Sequence, residues 1–338
     1  MNPRSRPQVC RPPRRGRSTR AVTALAIGLL FGCSEGTGPA QRVFLPSASS
    51  FRAITDSLVR RGVVAHPSWF RTLARLGRFD RKVKAGLYDF REGQSAWSVL
   101  HTLTSGDEIT VQVTVPEGYT IFDIADVAAA DLRLSRDSVL AAARDPAVLR
   151  EFGVEGSSME GYLLPETYNV SALITARDLV RDMAQLFQRT WQPSWDTKRQ
   201  TLGLSRRELV TLASIVEAEA KVDEDRPLVA AVYTNRIKLG MLLQADPTVQ
   251  YALQLELGAR KPRLMLTDYK FASPYNTYLH PGLPPSPVGA PSPKSIEAVL
   301  NPAPVPYLYF VAGAKGKHVF TRSYGEHLRA IARIRGGH

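Results

Sequence analysis

The segment Ser205–Val222, SRRELVTLASIVEAEAKV, constrains the fold of this chain more than any other stretch. Its apolar residues recur at the spacing of one α-helix face, so this stripe has to pack against a core. Ser205 is placed to cap the helix, and Glu208 three residues later completes a capping box. The apolar stripe consists of Leu209, Leu212, Ala213, Val216 and Ala220. The sequence therefore predicts an amphipathic helix here.

Two glutamates follow the apolar part of this helix. Glu217 and Glu219 fall on opposite flanks of the stripe, each about 80° from its centre at 3.6 residues per turn. Flank positions are half-buried, and partial desolvation raises the pKa of a carboxyl toward the range of a general acid. The structural alternative is that Glu217 pairs with Lys221, four residues on, while Glu219 avoids Asp223 by pointing to solvent or to a basic partner. The pattern alone does not choose between the two glutamates.

Residues 1–32 are predicted to be a targeting leader. Seven arginines and no acid precede an apolar run from Ala21 to Gly32. That run is shorter than the roughly 20 residues of a membrane-spanning helix and fits the hydrophobic region of a secretory signal. It ends in Leu-Phe-Gly-Cys, which resembles a bacterial lipobox, so we expect Cys33 to carry a lipid. Residues 33–42 then read as a polar linker.

The composition limits the classes of function. The chain of 338 residues is 44% hydrophobic and 22% charged, which is typical of a globular protein with a real core. Its net charge of +13 falls to +6 without the seven leader arginines, and export argues against a nucleic-acid partner. Cys10 and Cys33 are the only cysteines, so the body carries no disulfide framework. No metal-binding spacing of histidines and no cofactor motif is present, so neither a metal nor a cofactor is predicted.

Residues 43–130 are predicted to form a first subdomain of small β–α units. Three aligned segments each place a Ser or Thr two residues before an aromatic residue, where its hydroxyl can cap a helix. The expected caps are Ser49, Ser95 and Thr120. Strand-like segments at Gly86–Phe90 and Ile109–Val115 flank the helices. The arrangement resembles LysM carbohydrate-binding modules, and it predicts a LysM-like subdomain of βααβ type.

Residues 131–338 are predicted to form a mixed α/β domain, which makes the fold class α+β. Helical periodicity covers 136–150, 173–191 and 225–239. The stretch 241–306 is dense in proline and glycine but carries four tyrosines, so an ordered functional surface is expected rather than a linker. Tyr307–Ala312 is expected to be a buried strand, with His318–Ser323 as its hairpin partner.

Polar residues after the Ser205–Val222 helix supply further candidates for a site. Asp246 stands in Asp-Pro-Thr, which commonly opens a turn or a helix, so a capping role competes with a role in chemistry. Amides suit sugar hydroxyls and N-acetyl groups, and tyrosine rings can stack on sugar faces, although aromatic residues often belong to the core. The amides are Gln244, Asn235 and Asn276, and the tyrosines are Tyr162, Tyr251, Tyr275 and Tyr278.

Several stretches together resemble the endolytic murein transglycosylases of the YceG-like family, also called MltG. They are VPEGYTIFDIA, EGYLLPETY, LASIVEAEA with DRPLVAAVYTNRIKLGMLLQADPTVQYAL, SPYNTYLHPGLPPSPVGAPSPKSIEAVLNP and YLYFVAGAKGKHVFTRSYGEH. Their order and spacing cover nearly all of residues 43–330. The resemblance implies a membrane-tethered enzyme outside the cytoplasm. Such an enzyme cleaves peptidoglycan strands between MurNAc and GlcNAc, leaves 1,6-anhydro-MurNAc ends and limits the length of nascent strands.

The resemblance also implies roles for individual residues. The glutamate after Ala-Ser-Ile-Val, here Glu217, would act as catalytic acid and base, with Glu219 in support. One carboxyl suffices, because the C6 hydroxyl of the same MurNAc replaces the attacking water of a hydrolase. The side chains expected near the cleft are Gln244, Asp246, Asn235, Tyr275 and Asn276. Peptidoglycan synthases are implied as partners. The family usually has one transmembrane helix, and the short apolar run before Cys33 departs from that pattern.

Three other functions remain open at this point. A non-catalytic peptidoglycan-binding scaffold would use the LysM-like units alone. An aminodeoxychorismate lyase, a label sometimes given to this family, disagrees with the export leader and with the lack of a recognisable pyridoxal phosphate lysine. A glycoside hydrolase would need a second carboxylate roughly 5–10 Å from Glu217, and Asp246 and Glu166 are the candidates.

Overall fold

The computed structural model describes residues 38–46, 49–258 and 260–336, so the leader and Cys33 lie outside the described residues. Within them the chain forms thirteen α-helices and six β-strands, which confirms the α+β class. The helices are α1 (Phe51–Arg60), α2 (Pro67–Leu76), α3 (Ala96–Ser105), α4 (Ile121–Leu132), α5 (Arg136–Ala143), α6 (Pro146–Phe152), α7 (Ala176–Thr190), α8 (Pro193–Thr201), α9 (Arg206–Glu219), α10 (Arg226–Lys238), α11 (Asp246–Leu257), α12 (Pro293–Leu300) and α13 (Tyr324–Gly336). The strands are β1 (Ala40–Leu45), β2 (Gly86–Arg91), β3 (Thr110–Thr114), β4 (Thr167–Ser171), β5 (Tyr309–Ala312) and β6 (His318–Thr321). None of the described helices is long and apolar enough to cross a membrane.

A first, smaller core is built on the antiparallel pair of β1 and β2. Val43 of β1 lies opposite Tyr88 of β2, and alternate residues of both strands point to one face. Helices α1, α2 and α3 supply the apolar side chains that cover this face. The first four elements therefore follow the order β–α–α–β.

Hydroxyl side chains start three helices in the N-terminal part of the chain. Ser95 and Thr120 each accept a bond from the amide three residues further on, as predicted, and Thr120 forms a full capping box with Asp123. The assignment of Ser49 was wrong by one residue, because Ser50 caps α1 over 3.2 Å. A side-chain acceptor at the cap satisfies an amide that has no partner within the helix.

The larger core contains β3, β4 and side chains from helices α4 to α12. The buried apolar residues change from one core to the other between Leu103 and Val113, so α4 packs in the larger core, ahead of the predicted boundary at 130. The predicted helix over 136–150 is two helices. Asp145 caps α6, and Pro146 at its first position cannot continue the preceding helix.

Helix α9 is buried on all sides rather than along one stripe. Every residue from Leu209 to Glu217 is buried. Its polar residues satisfy their bonds inside the protein, since the Ser214 hydroxyl donates to Thr211 O over 2.8 Å and accepts from Val288 N over 3.0 Å. Small hydroxyl residues with complete hydrogen bonding thus extend the buried surface beyond the apolar positions. The predicted capping box of Ser205 and Glu208 is confirmed.

The hairpin of β5 and β6 packs beside helix α13 and the end of α10. The hairpin itself is as predicted, but β5 is half-buried rather than buried. Its exposed face belongs to an open cleft instead of the core, so Tyr309 and Phe310 are only partly covered. Helices α9, α10 and α11 and this hairpin together form the walls of that cleft.

Candidate active site

Helix α9 carries both glutamates in its last turn. The next residue, Ala220, is extended, with φ −76° and ψ 117°, and a short 3₁₀ turn leads into α10. The C-terminal end of a helix has unpaired carbonyls and a negative partial charge, which disfavours a carboxylate there. Each glutamate therefore needs donors or a proton, and the two side chains meet this need differently.

Glu217 is a buried carboxylate in an ion pair with Arg226. Arg226 Nη1 donates to its Oε1 over 2.7 Å, and the Ser292 amide donates to its Oε2 over 2.8 Å. The Ser292 hydroxyl donates to the same oxygen. Only 4% of the Glu217 side chain is exposed, and its partner is Arg226 rather than the expected Lys221. Donors from the protein itself thus occupy both oxygens.

Arg226 connects Glu217 to three other parts of the chain. Its Nη1 also donates to Ser295 Oγ over 2.6 Å, and its Nε donates to Asp223 Oδ1 over 3.1 Å. Its Nη2 reaches Glu117 Oε2 at 3.5 Å. Asp223 in turn accepts from Lys294 Nζ over 2.6 Å. This arrangement is a structural brace that fixes the junction of α9 and α10 against α12.

Two loops next to this brace are joined by backbone bonds. Gly118 N donates to Ala290 O, and Ala290 N donates to Tyr119 O, both over 2.8 Å. Residue 289 has to be glycine, because a Cβ there would lie 2.7 Å from Gly118 O. The segment after β3 and the segment before α12 are thereby held together.

Glu219 lines the cleft, which has a volume of about 340 Å³. The Tyr233 hydroxyl donates to Glu219 Oε1 over 3.0 Å. Burial raises the pKa of Glu219 to about 7; the charge of Asp246 adds to the rise, while the Tyr233 bond and Arg236 oppose it. A carboxyl with this pKa is partly protonated at neutral pH and can both donate and accept a proton.

Asp246 lines the same cleft at the start of α11. It makes no capping bond, so the predicted capping role is not what its side chain does. Its Oδ1 accepts from the Tyr278 hydroxyl over 2.6 Å, and its Oδ2 accepts from the Tyr269 hydroxyl over 3.4 Å. Burial and the nearby Asp246 raise the pKa of Tyr278, which keeps this hydroxyl a donor.

Gln244 reaches the cleft from a left-handed backbone position, with φ +51°. Only a few per cent of residues other than glycine adopt such angles, and they concentrate at functional sites. Bonds from Gln244 N to Thr277 O over 3.1 Å and from Ala245 N to Thr277 Oγ1 over 3.0 Å hold the backbone there.

A histidine–aspartate pair forms another part of the cleft wall. His318 Nδ1 lies 2.9 Å from Asp225 Oδ2, and the His318 amide donates to the same oxygen over 2.7 Å. Both side chains are almost completely buried. The pair joins β6 to the turn before α10, which fixes the hairpin against the end of α9.

Arg236 lines the cleft and supports the hairpin. Its Nε donates to Leu308 O and its Nη1 to Leu243 O, each over 2.7 Å. Its guanidinium lies 5.1 Å from the centre of the Tyr309 ring. The His327 ring of α13 also stacks on Tyr309, with centroids 5.4 Å apart, so α13 contributes to this wall of the cleft.

Other predicted site residues lie away from the cleft. Asn235 donates to Val305 O and Tyr307 O and belongs to a different surface. Asn276 is fully buried and donates to the carbonyls of residues 269 and 271. The Tyr275 hydroxyl lies 2.8 Å from Ser286 Oγ. These three side chains stabilise the proline-rich loops. Glu166, the other candidate for a second carboxylate, is exposed just before β4 and does not line the cleft.

The sequence analysis missed several cleft residues. Arg236, His318, His327, Tyr233 and Tyr309 all line the cleft, but none lies in a local pattern that marks a site. They come from two helices and two strands that only the tertiary fold brings together. Of the four tyrosines expected to stack on sugars, Tyr278 lines the cleft, whereas Tyr162 and Tyr251 are buried in the larger core.

A second buried acid, Glu160, lies outside the cleft under the start of α4. It is 1% exposed, and Ile121 N donates to its Oε2 over 3.2 Å. Burial raises the pKa of Glu160 to about 8, so this carboxyl is neutral at pH 7. Among the residues that the structure describes, no group of three or more His, Cys, Asp or Glu side chains is arranged to hold a metal.

The fold and this site define a class of protein. The model of the YceG-like family matches residues 43–333, so the chain belongs to the YceG-like family. A yceG-like protein of Listeria monocytogenes, known from a 2.6 Å crystal structure, superposes with a TM-score of 0.60 at 29% identity. The match covers 87% of this chain and all of that one.

Two characterised sequences are similar over most of this chain. An endolytic murein transglycosylase of Bacillus subtilis is 32% identical in an alignment of 302 positions that covers 85% of this chain and 82% of that protein. An endolytic murein transglycosylase of Streptococcus pneumoniae is 31% identical in an alignment of 319 positions that covers 86% of this chain but 57% of that protein. The pneumococcal relative is therefore considerably longer than the part shared here.

Proposed function

We propose that this protein is an endolytic lytic transglycosylase of peptidoglycan. It cleaves strands internally between MurNAc and GlcNAc and leaves 1,6-anhydro-MurNAc ends, which limits the length of nascent strands. Family membership and the names of the two relatives support this activity. The observation that carries it is a single carboxyl of raised pKa, Glu219, in an open cleft lined by tyrosines and the amide of Gln244.

We assign the acid–base role to Glu219. The sequence resemblance pointed to Glu217, but donors from Arg226 and Ser292 occupy both Glu217 oxygens, and its side chain does not line the cleft. Because both Glu217 oxygens accept hydrogen bonds inside the protein and the side chain is buried, a glycosidic oxygen cannot approach them. Glu219 lines the cleft, accepts from the Tyr233 hydroxyl and from the Asp246 amide, and has a pKa of about 7.

The reaction needs only this one titrating group. Protonated Glu219 donates its proton to the glycosidic oxygen as the bond from C1 of MurNAc to that oxygen breaks. The resulting carboxylate then takes the proton of the C6 hydroxyl on the same MurNAc, and O6 bonds to C1. Glu219 ends protonated, as it began, and no water is consumed. Tyr233, which donates to Oε1, holds the carboxyl in place through both steps.

Gln244, Asp246 and Tyr278 are the proposed positioning groups for the strand. They lie on the wall of the cleft that continues from Glu219, and the left-handed backbone at Gln244 turns its amide toward the cleft lining. Polar groups of this kind suit the hydroxyl and N-acetyl groups of a neutral glycan. Asn235, Tyr275 and Asn276 act on the fold instead, through their bonds to backbone and loops.

A two-carboxylate glycoside hydrolase is the second candidate, and one observation favours it. Asp246 lines the same cleft as Glu219, and its charge contributes to the raised pKa of Glu219. In a hydrolase Asp246 would act as nucleophile or base. Its two oxygens accept from the hydroxyls of Tyr278 and Tyr269, which makes it a weaker nucleophile and favours the one-carboxyl mechanism.

The N-terminal unit is proposed to be a LysM-like glycan-binding subdomain within residues 43–130. Its β–α–α–β order with an antiparallel strand pair supports this proposal. Trp69 and Trp97 are 54% and 43% exposed, and exposed tryptophan rings can stack on sugars. Substitution of both by alanine should weaken strand binding, whereas Leu76→Ala should not, because Leu76 is aliphatic and, at 77%, even more exposed. Equal binding by all three proteins would contradict this role.

The place of the protein at the membrane is a separate proposal. A lipid on Cys33 would anchor the body outside the cytoplasm, where nascent strands and peptidoglycan synthases are available as substrate and partners. Labelling with a palmitate analogue should mark the wild type and not Cys33→Ser. An unlabelled wild type would refute lipidation without affecting the proposed chemistry.

Product analysis tests the activity directly. Purified peptidoglycan strands are incubated with the full-length protein, Glu219→Gln or Glu217→Gln, and the new ends are identified by mass spectrometry. Internal cuts with 1,6-anhydro-MurNAc ends, absent only with Glu219→Gln, would support both the reaction and the assignment. Reducing ends would identify a hydrolase. Binding without any cleavage by the wild type would identify a non-catalytic scaffold.

A further inference from the structure

We propose that a second depression, adjoining the cleft beyond Asp246, binds the anionic peptide stem carried by MurNAc. Arg263 and Arg335 are its carboxylate-binding groups. This inference rests on the proposed function, because it concerns recognition of the same peptidoglycan strand. It adds a subsite that selects strands whose peptides are still attached.

The depression is continuous with the cleft. It has a volume of about 680 Å³, and Asp246 lines both spaces. The Tyr269 ring on its wall packs against the Tyr278 ring of the cleft, with centroids 4.6 Å apart. A branch attached to a sugar at Glu219 can therefore continue past Asp246 without leaving the protein surface.

The lining of this depression carries more positive than negative charge. Arg263 comes from the loop after α11 and Arg335 from the end of α13, and within the described residues neither makes an ion pair. The adjacent Arg260 and Lys261 do have acidic partners. Asp246, the one acid of the lining, already accepts from two tyrosine hydroxyls. Two unpaired guanidiniums are suited to carboxylate binding.

The loop that presents Arg263 is fixed from within. Lys261 Nζ donates to Asp268 Oδ1 over 2.6 Å, and Met265 N donates to Asp268 Oδ2 over 2.8 Å. This network holds Met265 and Leu266 outward, where they are 60% and 86% exposed. Neighbouring apolar side chains and free guanidiniums match a ligand that combines small apolar side chains with carboxylates.

The chemistry of the substrate identifies this ligand. The glycan of peptidoglycan is built from N-acetylated sugars that are neutral once the lactyl group of MurNAc is bonded to its peptide. The carboxylates of the polymer are therefore on the peptide stems. An amidase that removes the stem frees the lactyl carboxylate, so a stripped strand still carries one anion at the MurNAc ring itself. An intact stem carries its carboxylates further from the ring, on the side of Asp246 where the two arginines lie.

The test compares two substrates with one set of variants of the full-length protein. One substrate is strands with intact stems, and the other is the same strands after an amidase has removed the stems. The variants are Arg263→Gln, Arg335→Gln and the pair together. Arg333→Gln is the matched control, because Arg333 is exposed on the same helix and does not line the depression. The readout is the KM for formation of anhydro ends.

The wild type should have the lower KM for strands with stems, by roughly fivefold at low salt. In the double variant this preference should disappear, each single variant should lose part of it, and Arg333→Gln should keep it. An unchanged preference in a double variant that unfolds at the wild-type temperature would overturn the subsite while leaving the transglycosylase intact. A wild type that cleaves neither substrate would overturn the proposed function itself.

Discussion

Glu217 and Glu219 are two residues apart at the end of one helix, yet only Glu219 reaches the cleft. The Glu217 side chain is turned inward to Arg226 and Ser292, whereas Glu219 meets the Tyr233 hydroxyl at the edge of open space. Neighbouring positions two apart point to opposite sides of a helix. One carboxylate therefore braces the fold, and the other is available for chemistry.

The first prediction concerns catalysis by Glu219. Glu219→Gln keeps the shape of the side chain but removes its proton donor, so the rate of anhydro-end formation should fall by about 10²–10⁴-fold. The fold should persist, with a thermal midpoint close to that of the wild type. Full activity of Glu219→Gln would return the acid role to Glu217.

The second prediction concerns stability. Glu217→Gln removes the buried carboxylate partner of Arg226 and leaves it only the more exposed carboxylates of Asp223 and Glu117. The loss of this charged hydrogen bond should lower the free energy of unfolding by about 1.5–3 kcal/mol in urea titrations. Glu224→Gln is the control, because Glu224 is exposed in the following turn and its substitution should have little effect. If Glu217→Gln lowered the free energy of unfolding no more than this control does, Glu217 would not stabilise the fold through Arg226.

The third prediction concerns the dependence of the rate on pH. Glu219 has to be protonated at the start of the reaction and has a pKa of about 7, so kcat/KM should fall as the pH rises above neutrality. The Tyr233 bond lowers this pKa, and its removal in Tyr233→Phe should move the falling limb to higher pH. A profile that stays flat from pH 6 to 9 would be incompatible with this assignment.

The fourth prediction concerns stability and pH at Glu160. In the folded state Glu160 has a pKa of about 8, whereas in the unfolded chain it loses its proton near the ordinary glutamate value of 4.5. The contribution of Glu160 is complete below pH 4.5 and disappears as the pH rises through 8. The stability of the wild type relative to Glu160→Gln should thus fall between pH 5 and 8, on the order of 4 kcal/mol. A constant difference would show that Glu160 does not titrate in this window.

The fifth prediction separates strain from function at Gln244. A left-handed backbone costs a residue with a Cβ about 1–2 kcal/mol, and glycine avoids this cost. Gln244→Gly should therefore match or exceed the wild type in urea stability, while its KM for glycan strands rises because the amide is lost. Gln244→Ala keeps the Cβ, so its urea stability should stay close to that of the wild type, while its KM should rise as in Gln244→Gly. If Gln244→Gly bound strands normally, the amide would have no part in binding.

Local patterns in the sequence predicted elements better than they predicted the site. The capping box of Ser205 and Glu208 and the β5–β6 hairpin depend on residues close in sequence, and both are found. The choice between Glu217 and Glu219 depends on partners far along the chain, since Ser292 belongs to the segment before α12. A helical wheel places Glu217 and Glu219 on equivalent flanks of the helix, because it contains no information about those distant partners.

Two amide side chains show that residue type alone does not identify a binding residue. Gln244 and Asn276 are similar in chemistry and both were predicted near the cleft, but Asn276 satisfies backbone carbonyls in a buried loop. Buried amides are used for this purpose wherever irregular loops leave carbonyls without partners. Residue type therefore indicates what a side chain can bind, and the tertiary fold decides whether sugar or backbone is bound.

The order of the cleft residues along the chain has a consequence for synthesis. Glu219 is made more than ninety positions before His318 and His327 complete the opposite wall, and the 118–290 backbone link also joins distant segments. Because the chain is synthesised from its amino end, Glu219 is present long before the residues that form the rest of the cleft. We therefore expect a shortened polypeptide that lacks α13 to have an incomplete cleft wall and to be unable to cut glycan strands.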